Sequence, residues 1–426
     1  MLYEATKQGN LTRMIRMAHF ADIHIGMENY GKFDPESGVN TRVRDFLRCM
    51  DEMVDYAIEN KVELAVFAGD AFKNAQPNLT LQREFASRIL DLSAQCPVVL
   101  LLGNHDMPPN PIRAHSIEVF DTFRAAGVSV GNQYEILDIQ TVSGNVYVAT
   151  APYPAGARLL NTEQIQGKSP SAIDQAIANQ ILTLLRYLRD CANVAANPSA
   201  PRVLAGHFTV AGASTGVEKT LMLGRDLEIP LSELDDPAWD YVALGHIHKH
   251  QNLTHNRPGS PPVVYSGSLE AIDFGEEGEP KGFCWVELER GQTTWRFRRV
   301  NNRPFITLTI DVRGLLEPTD DVMMVINAHD GLGGAIVRLI ISADAQHNID
   351  EKAIRTRLIL LGVSYCRIQF EVPHVSRSRL GENPETQTDL ELLSRYWTEK
   401  GIEPAKRDRL LEKAQRLIDD MKQVDG

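Results

Sequence analysis

The sequence predicts an α/β protein built on mixed sheets, and three observations carry that expectation. Short apolar runs alternate with amphipathic helical stretches through the first third of the chain, which is the pattern of strands interleaved with helices. Several of these runs stop at a glycine or an acid followed by further polar residues, and the carboxyl ends of strands are where open α/β sheets bind ligands. From about Glu135 the strands come closer together, which adds antiparallel neighbours. A length of 426 residues allows two to three domains at about 150 residues each. With 43% hydrophobic and 23% charged residues, the chain can build sizeable cores, and disordered and fibrous classes are excluded.

Met14 to Phe20 reads as a buried strand. Asn40 to Lys61 reads as a helix, because Val43, Phe46, Leu47, Met50, Val54, Ala57 and Ile58 recur at the three- and four-residue spacing of one face. Val62 to Ala68 is a second strand running into Gly69 and Asp70. Thr80 to Gln95 repeats the helical pattern through Leu81, Phe85, Ile89 and Leu92, and Pro97 to Leu102 is a third strand ending at Gly103. Strands follow over Glu135 to Val142 and Asn145 to Ala151, then a helix near Ser171 to Asn193. Arg202 to Ala205 and Tyr241 to Leu244 are strands that stop at glycine followed by histidine. Val263 to Tyr265, Gly282 to Glu289 and Thr293 to Val300 close this section, so one large domain spans residues 14–303.

Phe305 to Val312, Ala335 to Ser342, a helix around Asp350 to Leu361, and Cys366 to Val372 form a small α/β unit over residues 304–373. The polar stretch 374–385 reads as a linker. Residues 386–426 read as a helical hairpin. Leu390, Leu393, Tyr396 and Trp397 form one stripe, Leu410, Leu411, Ala414, Leu417, Ile418 and Met421 another, and Gly401 and Pro404 sit between them as stop and restart signals. Residues 1–13 are expected to be a loose leader.

Lysine and arginine number 44 against 56 acidic residues, a formal charge of −12. No overall positive field therefore draws the chain to nucleic acid or an anionic membrane. Any polyanion must be met by a local patch or through bound metal. The five cysteines are scattered, odd in number and without a C-x-x-C pair, which points to a reducing compartment with no disulfide framework and no thiolate zinc site. No run approaches the roughly 18 to 20 apolar residues of a membrane span, and the start lacks the apolar core of a secretory signal. These readings place the protein in the cytoplasm.

Five short motifs carry the chemistry. Asp22-Ile23-His24 lies just past the first strand, where alternation turns both polar side chains to one side. Gly69-Asp70 follows the second, the glycine letting the backbone turn so that the carboxylate projects from the sheet edge. Gly103-Asn104-His105-Asp106, Gly206-His207 and Gly245-His246-Ile247-His248 follow later strands, the last placing two imidazoles two positions apart. Each alone has an ordinary alternative, such as a strand-to-loop turn, a satisfied core histidine or a polar loop. All five, however, share one context. Together they offer three carboxylates, one amide and five imidazoles, more than one tetrahedral zinc with an open position would use. A pair of divalent cations uses them naturally, and mixed nitrogen and oxygen ligands suit manganese, iron or zinc better than magnesium or calcium alone.

In this order and spacing the motifs resemble the calcineurin-like metallophosphoesterase superfamily. The stretches HFADIHIG, VFAGDAFKNAQPN, LLGNHD, AGHF, ALGHIH and VVYSGSLEAIDFGE resemble, within it, the SbcD-type DNA-repair exonucleases. The resemblance implies two mixed β-sheets sandwiched by helices, a small α/β capping domain that contacts DNA, and a C-terminal helical hairpin. It also implies that Asp22, His24 and His248 hold one metal, that Asn104, His207 and His246 hold the other, and that Asp70 bridges them. Two cations about 3.5 to 4 Å apart would activate a shared water, neutralise a phosphodiester and steady an in-line transition state. His105 would not be a ligand but would face the scissile phosphate, where an imidazolium stabilises charge or protonates the leaving oxygen. Asp106 is expected to orient a site histidine from behind.

Manganese is the expected ion, with magnesium the alternative in cells. The resemblance further implies a 3′ to 5′ exonuclease on duplex ends and an endonuclease on single strands, acting in double-strand-break repair. An SMC-like ATPase of the SbcC type would bind the C-terminal helices, the chain would form homodimers through helices near Thr80 to Gln95 and His115 to Ala126, and it would be nucleoid-associated. One departure concerns Lys73, where some relatives carry a further histidine; a lysine still contacts phosphate but does no imidazole acid/base work at neutral pH. Arg296 and Arg298 on the strand Trp295 to Arg299, and Arg377 and Arg379 in the linker, are candidate phosphate contacts. His250 and His255 match no ligand position and read as surface loop residues. Two other functions stay open: a phosphatase or cyclic-nucleotide phosphodiesterase of the same superfamily, and an idle scaffold that holds an ATPase on DNA.

Overall fold

The structure is a computed structural model and describes residues 14–36, 38–108, 110, 113–160, 162–216, 227–344, 349–372 and 388–424. The expected leader and the linker with Arg377 and Arg379 lie outside the described residues. The chain runs through β1 (Ile15–Phe20), α1 (Thr41–Glu59), β2 (Leu64–Phe67), α2 (Leu79–Ser93), β3 (Val98–Leu101), α3 (Glu118–Thr122) and β4 (Val128–Gly131). It continues through β5 (Glu135–Thr141), β6 (Gly144–Ala151), α4 (Pro170–Asn193), β7 (Arg202–His207), β8 (Tyr241–Gly245), β9 (Gln251–Asn252) and β10 (Val263–Tyr265). It then returns to the first sheet with β11 (Gly282–Leu288) and β12 (Thr294–Arg299).

Two six-stranded mixed sheets result, in the orders β12-β11-β1-β2-β3-β4 and β9-β10-β8-β7-β6-β5. In the first, β1 to β4 are parallel and β11 returns antiparallel to β1. In the second, β6, β7, β8 and β10 are parallel. The sheets face each other across Met17, Leu64, Val66, Val99, Val148, Val203 and Ala243. On the outer face of the first sheet, Phe20 and Phe67 pack with Leu47 and Met50 of α1 and Phe85 of α2. On that of the second, Leu204 and Val242 meet Ile181 and Leu185 of α4. Strands β2 and β3, covered on both faces, are buried throughout and uniformly apolar, as central parallel strands are. The helix starts expected from the sequence are fixed by caps: the Asn40 side chain accepts from Arg42 N, and that of Asn78 from Leu81 N. Strand β4 goes beyond the sequence expectation, being four residues at a sheet edge, too short to show a period.

The stretch 305–371 holds β13 (Phe305–Asp311), α5 (Pro318–Ala328), β14 (Ile336–Ser342), α6 (Glu351–Leu360) and β15 (Tyr365–Glu371), in one sheet of order β13-β14-β15. Helix α5 also goes beyond the sequence expectation. Only Val322 and Ile326 are buried there, while Met324 and Val325 are exposed, so the apolar residues do not fall on one face in the sequence. A buried ion network fastens the start of this unit to α1. Asp45 accepts from Arg42 Nη1 at 2.7 Å and from Arg303 Nε at 2.6 Å, and Arg303 also donates to the Gly334 carbonyl. Glu270 accepts from the Arg303 backbone N–H at 3.0 Å, and Arg42 caps the Ala271 carbonyl at 2.6 Å.

The chain divides into two compact units, the first Met1–Ile310, Thr319–Ile340 and Asp350–Gln369, the second Asp311–Pro318, Ile341–Ile349 and Phe370–Gly426. The second contains the hairpin α7 (Asp389–Glu399) and α8 (Pro404–Val424). A capping box at Thr388 and Glu391 starts α7, and Arg407 Nη1 donates to Thr398 Oγ1 across the turn at 3.0 Å. No described side chain of either hairpin helix is buried. Among the described residues, no helix is long and apolar enough to cross a membrane.

Replacing Asp45 by alanine removes the carboxylate shared by Arg42 and Arg303 and leaves the buried Arg42 only the longer pairing to Glu270 at 3.6 Å. The expected loss is about 3 to 5 kcal/mol, read as a lower denaturant midpoint, whereas Val142→Ala at an exposed position should shift stability by no more than about 0.5 kcal/mol.

Candidate metal centre

The parallel strands of both sheets deliver their carboxyl ends to one edge. Beyond β1 the chain continues beside the end of β2, with Asp22 N–H donating to Gly69 O at 3.0 Å and His24 N–H to Asp70 O at 3.1 Å. These turns bring in Asp22, His24 and Asp70, β3 leads to Asn104 and His105, β7 ends on His207, and β8 leads to His246 and His248. Asp22, His24, Asp70, His207, His246 and His248 are all buried. Glycine ahead of these residues is a spatial requirement, since a Cβ on Gly103 would stand 2.1 Å from Asp70 Oδ1 and one on Gly245 2.2 Å from Ala68 O. Seven described non-glycine residues have positive φ, and four of them are Asp22, His24, Asp70 and His246. Such backbone costs of order 1 to 3 kcal/mol per residue and concentrates at functional sites.

Two clusters of donors meet at Asp70. In the first, His24 Nε2 and His248 Nε2 stand 3.0 Å apart, His24 Nε2 is 3.7 Å from Asp70 Oδ2, and Asp22 shares a ligand-sized space with both imidazoles. In the second, Asn104 Oδ1 lies 3.1 Å from His207 Nε2 and 3.0 Å from His246 Nδ1, and His207 Nε2 is 3.4 Å from Asp70 Oδ2. The outer nitrogens are held. His207 Nδ1–H donates to Ala68 O at 2.6 Å and His248 Nδ1–H to Glu276 Oε1 at 2.8 Å, which turns the Nε2 lone pair of each ring inward. Carboxylate, amide and imidazole lone pairs converging in one space fit divalent cations.

Electrostatics favour the same conclusion. Burial alone would raise the Asp70 carboxyl, but His207, through its charge and hydrogen bond, and His24 and His105 hold it well below the usual range. Burial would depress His207, yet the Asp70 charge and hydrogen bond raise it to about 9. Burial raises Asp22 against the pull of His207 and His248, and burial lowers His24 against the pull of Asp70. An ionised buried carboxylate beside an imidazole that favours its cation marks a site that seeks positive charge.

His105 is exposed, unlike the six buried residues. Its Nδ1–H donates to Lys73 O at 2.9 Å, its backbone N–H to Asp70 Oδ1 at 2.8 Å, and its ring lies 4.8 Å from that of His24.

Four expectations need correction or refinement. Asp106 does not orient a histidine. It accepts from the backbone N–H groups of Asp70 at 2.9 Å, Ala71 at 3.1 Å and Gly103 at 3.1 Å, and from Ser116 Oγ at 2.8 Å, so it ties together the turns that carry Asp70 and Asn104. Burial and the Asp70 charge push it up to about 6 against those hydrogen bonds. His250 is not a surface loop residue; it stacks on Phe297 at 4.0 Å and its Nδ1–H donates to Tyr265 O at 2.9 Å, whereas His255 is exposed. Arg298 lies 4.8 Å from the centre of the Tyr56 ring, and Arg296 Nη2 reaches the Tyr56 hydroxyl at 3.4 Å, so both pack against α1. Lys73 is exposed beside His105.

The sequence reading missed Glu276, which holds His248, and Lys281, whose Nζ lies 2.8 Å from Glu276 Oε2. It also missed Tyr153, whose ring lies 5.8 Å from His246 and 6.3 Å from His207. Glu276 closes the stretch VVYSGSLEAIDFGE, but nothing in its spacing links it to His248.

Comparison with known proteins gives the same picture at family level. The profile described as calcineurin-like phosphoesterase matches residues 15–250. The chain is similar to the SbcD component of the nuclease SbcCD from Bacillus subtilis (strain 168), 25% identical over 66% of this chain and 68% of that protein. It is also similar to the proteins of the same name from Rhodobacter capsulatus, 25% identical over 65% of this chain and 67% of that protein, and from Escherichia coli (strain K12), 23% identical over 65% and 66%. A solved dimetal phosphatase from Danio rerio matches at 11% identity and a TM-score of 0.41, over 67% of this chain and 96% of that one. With the family profile covering more than half of its length, the chain belongs to the calcineurin-like phosphoesterase family.

Proposed function

We propose that the protein is a metal-dependent DNA nuclease of the SbcD type, hydrolysing phosphodiester bonds 3′ to 5′ from duplex ends and cutting single strands internally, in DNA end processing. The observation that carries this reading is the gathering of six nitrogen and oxygen donor side chains around Asp70 beside an exposed histidine, in a chain similar to proteins named as the SbcD component of the nuclease SbcCD. Asp22, His24 and His248 would hold one divalent cation and Asn104, His207 and His246 the other, with Asp70 shared between them; manganese would be the first choice and magnesium the alternative. When bound, the two cations neutralise the phosphodiester and make the attacking water acidic enough to react near neutral pH.

The chain's own residues do the rest. His105, anchored through Nδ1 to Lys73 O and through its backbone to Asp70, presents Nε2 to the scissile group, where its imidazolium stabilises developing charge and protonates the leaving oxygen. Asp106 fixes the spacing of the turns, and the exposed Lys73 contacts an adjacent phosphate. Residues 14–303 are the catalytic domain and residues 304–373 the DNA-contacting cap. The hairpin binds an SMC-like ATPase of the SbcC type, a role supported by apolar stripes that bury no described side chain. Exposed Leu79 and Leu90 on α2 and Phe123 after α3 support a homodimer through those helices.

Purified protein with manganese should shorten an end-labelled duplex stepwise and carry about two metals per chain by mass spectrometry. Asp70→Ala should lose both properties. Hydrolysis of a dye diester with DNA left intact would instead move the substrate to a small phosphoester. His105→Ala should keep its metal content while hydrolysis falls by about 10²- to 10⁴-fold; unchanged rates in that variant would remove His105 from the chemistry.

A further inference from the structure

After β10 the chain makes one 3-10 turn, Phe274–Glu276, followed by Glu277. The two sides of this turn do different things. Inward, the buried Glu276 carboxylate has no freedom: Oε1 accepts from His248 Nδ1–H at 2.8 Å, and Oε2 accepts from Ile272 N–H at 3.0 Å and pairs with Lys281 Nζ at 2.8 Å. Lys281, itself buried, also donates to the His248 carbonyl at 3.2 Å. Outward, Glu277 accepts from Thr307 N–H at 2.7 Å and Thr307 Oγ1 at 2.6 Å on β13, and Arg338 of β14 lies 4.5 Å from the centre of the Phe274 ring. The Phe274 ring meets Phe305 of β13 edge-on at 5.0 Å and Tyr30 at 5.4 Å, and Tyr30 meets Phe305 at 5.6 Å and Tyr365 of β15 at 5.5 Å.

Tyr30 is six positions beyond His24 on the same loop. The two imidazoles whose Nε2 atoms stand 3.0 Å apart are thus both backed by segments that end in one aromatic cluster with the capping strands. We infer that Glu276 is a positioning residue for His248, and that the Phe274–Glu277 turn couples the placement of β13 and β14 to the geometry of the cation site formed with His24. This inference rests on the metal centre proposed above. A carboxylate behind a ligating imidazole fixes its orientation and basicity, and a rigid packed turn transmits displacement where a solvated loop would absorb it. A large substrate leaning on the capping strands then adjusts the site, and a small ester that does not reach them leaves it alone.

The test uses the full chain and manganese alone, with binding followed by electron paramagnetic resonance and a small dye diester as the activity readout. Glu276→Gln should weaken manganese binding by about 10- to 100-fold while most of the turnover returns at saturating manganese, a split that a residue acting on the ester itself would not give. Because that site is buried, Glu277→Ala and Thr307→Val provide folded controls at the surface side of the turn. Each should weaken manganese binding by about threefold or more with an unchanged unfolding midpoint. Wild-type affinity in both surface variants would overturn the coupling, and wild-type affinity in Glu276→Gln would overturn the positioning role, with the metal centre left standing. A wild-type protein that binds no manganese would overturn the metal centre and this inference together.

Discussion

Asp22 and Asp70 govern what surrounds them, because two carboxylates cannot remain desolvated within reach of each other unless positive charge is supplied. Both are buried and both face the same imidazoles. The surroundings are arranged to direct lone pairs inward rather than to satisfy them locally. Ala68 O and Glu276 take the outer N–H of His207 and His248, and Asp22 spends part of its capacity on the His246 backbone N–H at 3.0 Å. The left-handed backbone at Asp22, His24, Asp70 and His246 is the conformational cost of aiming so many side chains at one place.

That aim depends on architecture as much as on local sequence. One sheet offers its parallel strand ends along a line, and donors on a line do not surround anything. Here β1 to β3 and β7 to β8 belong to facing sheets, so the donors approach from two sides. Asp106 locks the registration on one side by binding the turns after β2 and β3 at once. The close approach of Gly103 to Asp70 and of Gly245 to Ala68 shows how little room the arrangement leaves.

The two additions to the catalytic body differ physically. Strands β13 to β15 are tied in by ions at the buried Arg42 and Asp45 and the half-buried Arg303, and by rings around Phe274, interactions that lose much if a single partner is removed. The hairpin has its caps and its turn but buries no described side chain. Its apolar stripes therefore gain little from folding as a pair.

Much of this protein is legible along the chain. The strand-then-glycine rhythm, the stripes of α1 and α4 and the polar residues behind each strand are local signals, and they located the sheets, the flanking helices and the side chains that meet at Asp70. Local signals failed where the determining contact lies far along the chain. Asp106 reads as a neighbour of His105, but its partners are backbone groups at Asp70 and Ala71, on a different turn. His250 reads as a surface loop residue and Arg298 as a phosphate contact, yet rings at Phe297 and Tyr56 pack against them. Glu276 and Lys281 carry no motif that marks them as the support of His248. These points are settled in three dimensions, because hydrogen bonding and desolvation act through space and depend on what the fold brings within a few ångströms, which spacing along the chain does not encode.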